Sequence, residues 1–364
     1  MILYIASKMV SGVKLRDKEF FVFIGIAAFY LTYSLIRQVN VIPAAFHDLQ
    51  QQMKPYIAFY AVYCMKPQFT KSEMKGLLLI CYLLFALLIA VVFTGNIEPF
   101  FIHPTNLASA AVLLSFVCYY CLKDSFKNNI LVILILAIGL FSLRSKFYGV
   151  FVCFIFITYF IKNEIKLSPK YIIVGGLLVV ATLFFVWEKF FFYYVEGLNS
   201  EELARPMLFQ KSTYNLNGYF PFGPGLGTYA CEASRIYYSP LYDKYDLSYV
   251  WGLSRGNSDF VADTFYPTLT QFGYIGIFLF ILFWIRRYKS IATNYRITKD
   301  LKQYKLGLFI IIFFIIESVA DTTFLSNRCV APLMLLALSM CQMQSQSSST
   351  NINTNENINN ISKP

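Results

Sequence analysis

The chain has 364 residues, of which 57% are hydrophobic and 14% charged, with a mean hydropathy of +0.55 and a formal charge of +11. A soluble domain needs more polar surface than this, so the composition describes an integral membrane protein. Its apolar runs are too continuous for the alternation of a barrel strand, which leaves an all-α bundle of transmembrane helices. The surplus of positive charge does not point to nucleic acid. With connections assigned alternately to the two sides, 20 of the 31 Lys and Arg fall on the side holding both termini and 11 on the other. That asymmetry places both ends in the cytoplasm.

In chain order, residues 1–10 are apolar but too short to span, and they lack a cleavage-site pattern. They read as an interfacial piece or the remnant of a longer start. Lys14, Arg16 and Lys18 precede a first span at 19–36. Residues 37–54 then return along the outer side, and a weaker span covers 55–65. Further spans are predicted at 76–94, 105–122, 130–143, 147–161 and 171–187. A long polar segment, 188–262, follows on the outer side with six basic and eight acidic residues, a balance that disfavours nucleic-acid binding. Spans at 263–285, 306–325 and 329–341 bring the total to ten. Between the first two of these, 286–305 carries seven basic residues and one acid, so it is read as a cytoplasmic connection. The regions are therefore 1–187 (membrane helices), 188–262 (outer loop), 263–343 (membrane helices) and 344–364, a Ser/Asn/Thr tail that reads as disordered. Paired broken spans of the transporter kind are not seen.

Polar groups at membrane depth are candidate sites because lipid penalises them unless they are paired. Arg144, at a span end, serves either to snorkel to headgroups or to bind phosphate. Glu317 and Asp321, four apart, are expected on one helix face, with Arg328 two turns beyond; the pair Arg328–Asp321 is either structural or functional. Within the loop, Arg205 opens a stretch to Asn217 that reads as a short helix on the membrane surface. The run Pro221-Phe-Gly223-Pro-Gly225-Leu-Gly227 is irregular, and an ordinary turn is preferred there to a phosphate nest. Ten tyrosines and Trp251 stud the loop. They suit either sugar stacking or, for most of them, an aromatic belt at headgroup level. The eight cysteines show neither a disulfide framework nor zinc spacing, and Cys118-x-x-Cys121 reads as packing. His47 and His103 have no metal-ligand spacing, so no metal or other cofactor is expected.

Three motifs, in this order around one long loop, resemble the O-antigen polymerase and ligase superfamily (Wzy and its relatives). They are Ser142-Leu-Arg144-Ser145 at a span end, Arg205 followed by Pro221 to Gly227, and Asp263-Thr-Phe-Tyr-Pro leading to Gly273-Tyr-Ile-Gly276 at a span entry. The resemblance implies glycosyl transfer outside the inner membrane, with undecaprenyl-pyrophosphate-linked repeat units as substrate, a chain-length regulator as a possible partner, and lipopolysaccharide or capsule as product. Ligase-like members place a His where this chain has Asp263, which favours polymerase over ligase; a lipid-linked oligosaccharide flippase is the alternative from another class. Under this resemblance Arg144, Arg205, Arg255 and Arg328 take the charge of the leaving pyrophosphate. Asp263, or failing it Asp259, accepts the acceptor's proton. Gly223, Gly225, Gly227, Glu317 and Asp321 support the site.

Overall fold

The computed structural model describes residues 18–164, 191 and 203–344, and among these the regular structure is helical, with no strand. The expected piece 1–10, the span 171–187 and the tail 345–364 lie outside the described residues. Among the described residues four helical segments are long and apolar enough to cross a membrane: α1 (Lys18–Arg37), α3 (Lys71–Phe93), α4 (Pro104–Cys121) and the segment Phe265–Thr298, most of which is α8 (Gly273–Thr298). Twenty residues at 1.5 Å each give ~30 Å, the thickness of the hydrocarbon layer. These helices also expose what a soluble protein hides. Ile36 is 76% and Phe93 86% accessible, and Leu79, Leu83 and Leu87 form an exposed stripe on α3. The chain is accordingly an all-helical membrane protein. Between these come α2 (Ile42–Met65), α5 (Phe126–Ala137, continued as a 3-10 turn over Ile138–Ser142), α6 (Ser145–Phe160) and α7 (Ala204–Gly218); α9 (Leu301–Glu317) follows α8, and residues 330–344 are helical.

Three boundaries differ from the expected ones. Residues 42–54 are not an extended return along the surface but the first half of α2, which runs on through Pro55. Asp48, Gln51, Gln52 and Lys54 have protein partners, and Ala44, Ala45 and Asp48 are buried, so this half is stabilised by packing that a hydropathy reading does not see. The segment 286–305 is almost wholly helical, because α8 continues to Thr298 and α9 begins at Leu301. At 26 residues α8 is ~39 Å long, so a span and its basic extension form one rod. At the other end of α9 the helix stops at Glu317, so Glu317 and Asp321 do not share a helix face.

The chain divides into two compact units, each discontinuous in sequence. One comprises Met1–Cys64, Leu183–Ile285 and Phe314–Val330; the other comprises Met65–Thr182, Arg286–Phe313 and Ala331–Pro364. In the second, α3 starts at a capping box, where the Glu73 amide donates to Thr70 Oγ1 and the Thr70 amide to the Glu73 carboxylate. Phe154 and Phe309 stack at 4.1 Å. Lysines tie down helix ends here: Lys302 donates to the carbonyls of Tyr120 and Leu122, and Lys305 to that of Thr158. Those are carbonyls that a helix C-terminus leaves without an intrahelical partner.

In the first unit Phe324 is an aromatic hub. Its ring packs on Tyr56, Phe265, Phe280, Trp284 and Phe314 at centroid distances between 5.1 and 5.9 Å. The unit has a further core inside the polar segment itself, built from Met207, Leu208, Tyr229, Tyr242, Leu247, Leu253 and Val261 among others. The long loop is thus a packed body with its own interior.

Candidate functional site

The body is held together by tyrosines. Tyr229 and Tyr242 are fully buried, with Tyr238 and Tyr245 nearly so, which removes these four from any aromatic belt. Each ring fills core volume, and the hydroxyls of Tyr229, Tyr238 and Tyr242 find a backbone or side-chain partner, whereas the buried Tyr245 hydroxyl has none among the described residues. Tyr229 donates to the Leu208 carbonyl and Tyr238 to that of Leu253, while Tyr242 accepts from the Ala230 amide and meets Ser234 Oγ at 2.8 Å. Tyr214, Tyr249 and Trp251 remain exposed.

α7 forms where a surface helix was expected, but it buries Met207, Leu208, Ser212 and Asn215 in this core. Pro206 is tolerated because it sits in the first turn, where its missing N–H would have no intrahelical partner. That fixes Arg205 at the amino end of the helix. Asp263 stands just before the short helix Phe265–Thr268 that leads into α8. The two meet: Arg205 Nε and a terminal guanidinium nitrogen both converge on Asp263 Oδ2, at 2.6 and 2.5 Å. A carboxylate there also profits from the positive end of the α7 dipole. Both side chains keep 28–29% of their surface accessible. This ion pair is the one combination of the expected cations and acids that unites the predicted pyrophosphate binder with the predicted base.

The other expected residues have different partners. Arg255 pairs with exposed Asp243 at 3.2 Å and lies over the Tyr238 ring. Asp259 is exposed, and its charge is felt by Arg235. Arg144, in the second unit, hydrogen-bonds with His103 at 2.7 Å. Arg328 forms the expected pair with Asp321 at 2.5 Å, and Thr323 Oγ1 bridges Asp321 and Glu317 at 3.1 and 3.3 Å. A non-helical turn achieves this in place of a common helix face.

The glycine run is irregular, as expected. Gly223, Gly225 and Gly227 all have positive φ, and each lies against protein: a Cβ at Gly223 would come within 2.4 Å of the Gln271 carbonyl, and one at Gly227 within 2.6 Å of that of Ala44. The amides of the run are used internally. Gly225 donates to the Gln271 carbonyl, Leu226 to Ser34 Oγ, Gly227 to Asp48 and Thr228 to Gln271 Oε1. This geometry favours the turn over the phosphate nest.

Asp48 was not among the expected site residues. It is 1% exposed and accepts from the Gly227 amide (2.9 Å), Gln271 Nε2 (2.8 Å) and Gln52 Nε2 (3.2 Å). Burial pushes its carboxyl above the usual range, and the hydrogen bonds from Gly227, Gln52, Cys231 and Gln271 oppose that rise. The neighbouring Cys231 thiol is pushed up as well, first by burial and then by the Asp48 charge. One acid in the polar stretch Phe46-His-Asp48-Leu-Gln carries no periodic signal, since its partners lie 179 and 223 residues away. Among the described residues no three His, Cys, Asp or Glu side chains are grouped to hold a metal ion.

Fold and site together define an all-helical membrane protein in which a folded, tyrosine-cored body feeds a spanning helix through a partly open Arg–Asp pair. The chain matches no protein-family model and no curated protein.

Proposed function

We propose that the chain is a polysaccharide polymerase of the bacterial inner membrane, joining undecaprenyl-pyrophosphate-linked repeat units into O-antigen or capsule. In this reading it has ten spans, both termini are cytoplasmic, and the tyrosine-cored body lies on the outer side. The observation that carries the reading is the Arg205–Asp263 pair, a cation and an acid held together and still reachable where the body enters the membrane. The acceptor sugar oxygen attacks the anomeric carbon of the lipid-linked glycan. The bond from that carbon to pyrophosphate oxygen breaks, and the lipid pyrophosphate leaves with the electron pair. Arg205 takes the growing charge on the leaving group, for which a guanidinium fork suits phosphate oxygens. Asp263 receives the proton of the acceptor hydroxyl. The two roles are linked, because an arriving pyrophosphate competes with Asp263 for the guanidinium and uncovers the carboxylate as it binds.

The test is reconstitution of the full chain into liposomes with the repeat unit as the sole glycan. A ladder of longer lipid-linked chains is expected, and Arg205→Ala should insert normally while losing elongation by ~100-fold or more. An unchanged ladder in Arg205→Ala overturns the site. Transfer that begins only when a lipid A core acceptor is added makes the protein a ligase, and glycan movement without new glycosidic bonds makes it a flippase.

A further inference from the structure

Two cations that the sequence does not single out gather about one phenol at a membrane end of the first unit. Arg37 closes α1, a candidate span, and its guanidinium lies 5.6 Å from the centroid of the Tyr219 ring. Lys244 Nζ lies 4.7 Å from the same centroid and donates to the Tyr219 hydroxyl at 3.1 Å. Having accepted that bond, the hydroxyl still has its own proton to donate, and it meets no acceptor among the described residues. The Arg37 side chain makes no hydrogen bond or ion pair among the described residues, and Lys244 pairs with no carboxylate; its neighbour Asp243 is engaged by Arg255. Elsewhere in the molecule the arginines of the candidate site each have a hydrogen-bonding partner, Arg205 on Asp263, Arg255 on Asp243, Arg328 on Asp321 and Arg144 on His103. The dipole of α1 accounts for a cation in its last turn, but it leaves the donors of the guanidinium unused.

The surroundings of this cluster are apolar and exposed. Ile36, beside Arg37, and Phe220, beside Tyr219, are 76% and 73% accessible. Phe220 packs on Tyr274 at the start of α8, another candidate span, and Tyr274 donates to Asn217 at the end of α7. The end of α1 is fixed to the same place, since Tyr33 donates to the Gly223 carbonyl and Tyr30 to that of Phe272. Two cations and a hydroxyl donor are therefore gathered at one ring, with exposed apolar side chains next to Arg37 and Tyr219 in the chain. A phosphate that carries acyl or prenyl chains satisfies both halves, because its oxygens accept from guanidinium, ammonium and phenol while its chains cover Ile36 and Phe220.

We infer that Arg37, Tyr219 and Lys244 form a binding site for the phosphate of a lipid headgroup, holding the tyrosine-cored body to the bilayer surface. The site rests on the membrane character of the chain and is independent of the polymerase reading. The experiment is native mass spectrometry of the full-length protein in detergent, titrated with phosphatidylglycerol and, in parallel, with diacylglycerol, which has the chains without the phosphate. Wild type should retain a tightly bound phosphatidylglycerol and no diacylglycerol. The double variant R37Q/K244Q should bind that lipid at least about tenfold more weakly, and Y219F, which leaves both cations in place, should show an intermediate loss. A parallel thermal melt confirms that the variants are folded; R37K, which keeps the charge and loses the fork, serves as a second variant and should bind between wild type and R37Q. Equal retention by wild type and the double variant, or equal retention of diacylglycerol, overturns the proposal. Adding undecaprenyl pyrophosphate then separates the two sources of such a phosphate. Displacement of the retained lipid assigns the site to the polyprenyl substrate, and its persistence assigns the site to the bilayer.

Discussion

Removal of the Asp48 carboxylate tests the joint between α2 and the glycine run. In Asp48→Ala the Gly227 amide and the Gln271 side-chain amide lose their acceptor, and both are buried; half-buried Gln52 can turn to water. A stranded buried donor costs ~1–3 kcal/mol, so two cost ~2–6 kcal/mol, less whatever the ionised buried carboxylate itself costs the native protein. A net loss of ~2–4 kcal/mol is expected. Asp48→Asn keeps an oxygen for both donors and presents an amide to Gln52, which can reverse its own amide to accept, so its stability should stay near that of wild type. The pH dependence has a definite sign. The native carboxyl titrates above its ordinary value of 3.8, so between that value and the native one the folded state binds more protons than the unfolded state. This contribution is fully present below the unfolded pKa and is lost as pH rises through the native one. Wild type should therefore lose stability with rising pH from this group, and Asp48→Asn should lack that component. The assay is thermal unfolding of the full chain in detergent, followed by far-UV circular dichroism at one scan rate from pH 4 to 8. An Asp48→Ala protein as stable as wild type, or an Asp48→Asn protein with the same loss on raising pH, refutes the reasoning.

Two further substitutions separate packing from chemistry. Gly223→Ala places a Cβ 2.4 Å from the Gln271 carbonyl and from the Gly273 amide at a φ of 78°, and should destabilise by ~2–5 kcal/mol, read as a lower unfolding midpoint. An unshifted midpoint would mean that the run is not packed against 271–273. Arg255→Ala removes an ion pair whose side chains are 71% and 52% exposed, worth at most ~1 kcal/mol, so both stability and glycan elongation should be nearly unchanged. Elongation lost in Arg255→Ala with the fold intact would return that residue to the pyrophosphate site, where Arg205→Ala is expected to act.

The two halves of α2 show where legibility ended. Residues 55–65 are apolar enough to be found by hydropathy, whereas 42–54 are helical because Asp48, Ala44 and Ala45 pack on a turn some 180 residues later. The pair Arg328–Asp321 was legible from proximity alone, since seven residues separate its members. Arg205–Asp263 was legible only as two separate candidates, because they stand 58 positions apart across a helix and a mostly irregular stretch, and nothing in that spacing encodes the closure. The tyrosines of the loop were visible as a composition, but their division into buried Tyr229, Tyr238, Tyr242 and Tyr245 and exposed Tyr214 and Tyr249 depends on which of them the loop's core encloses.

By itself the amino-acid sequence determined that this is a helical membrane protein, where its most apolar helices run, and that 221–227 must turn. These properties are local: lipid selects continuous apolar runs whose backbone is satisfied within the segment, and a Pro/Gly run excludes regular structure wherever it occurs. Tertiary structure alone decided that the polar loop has a core, that Asp48 is buried beneath its glycines, and that Arg205 meets Asp263. Those outcomes depend on contacts between residues far apart in the chain, and in a long irregular segment no period relates one partner to the other.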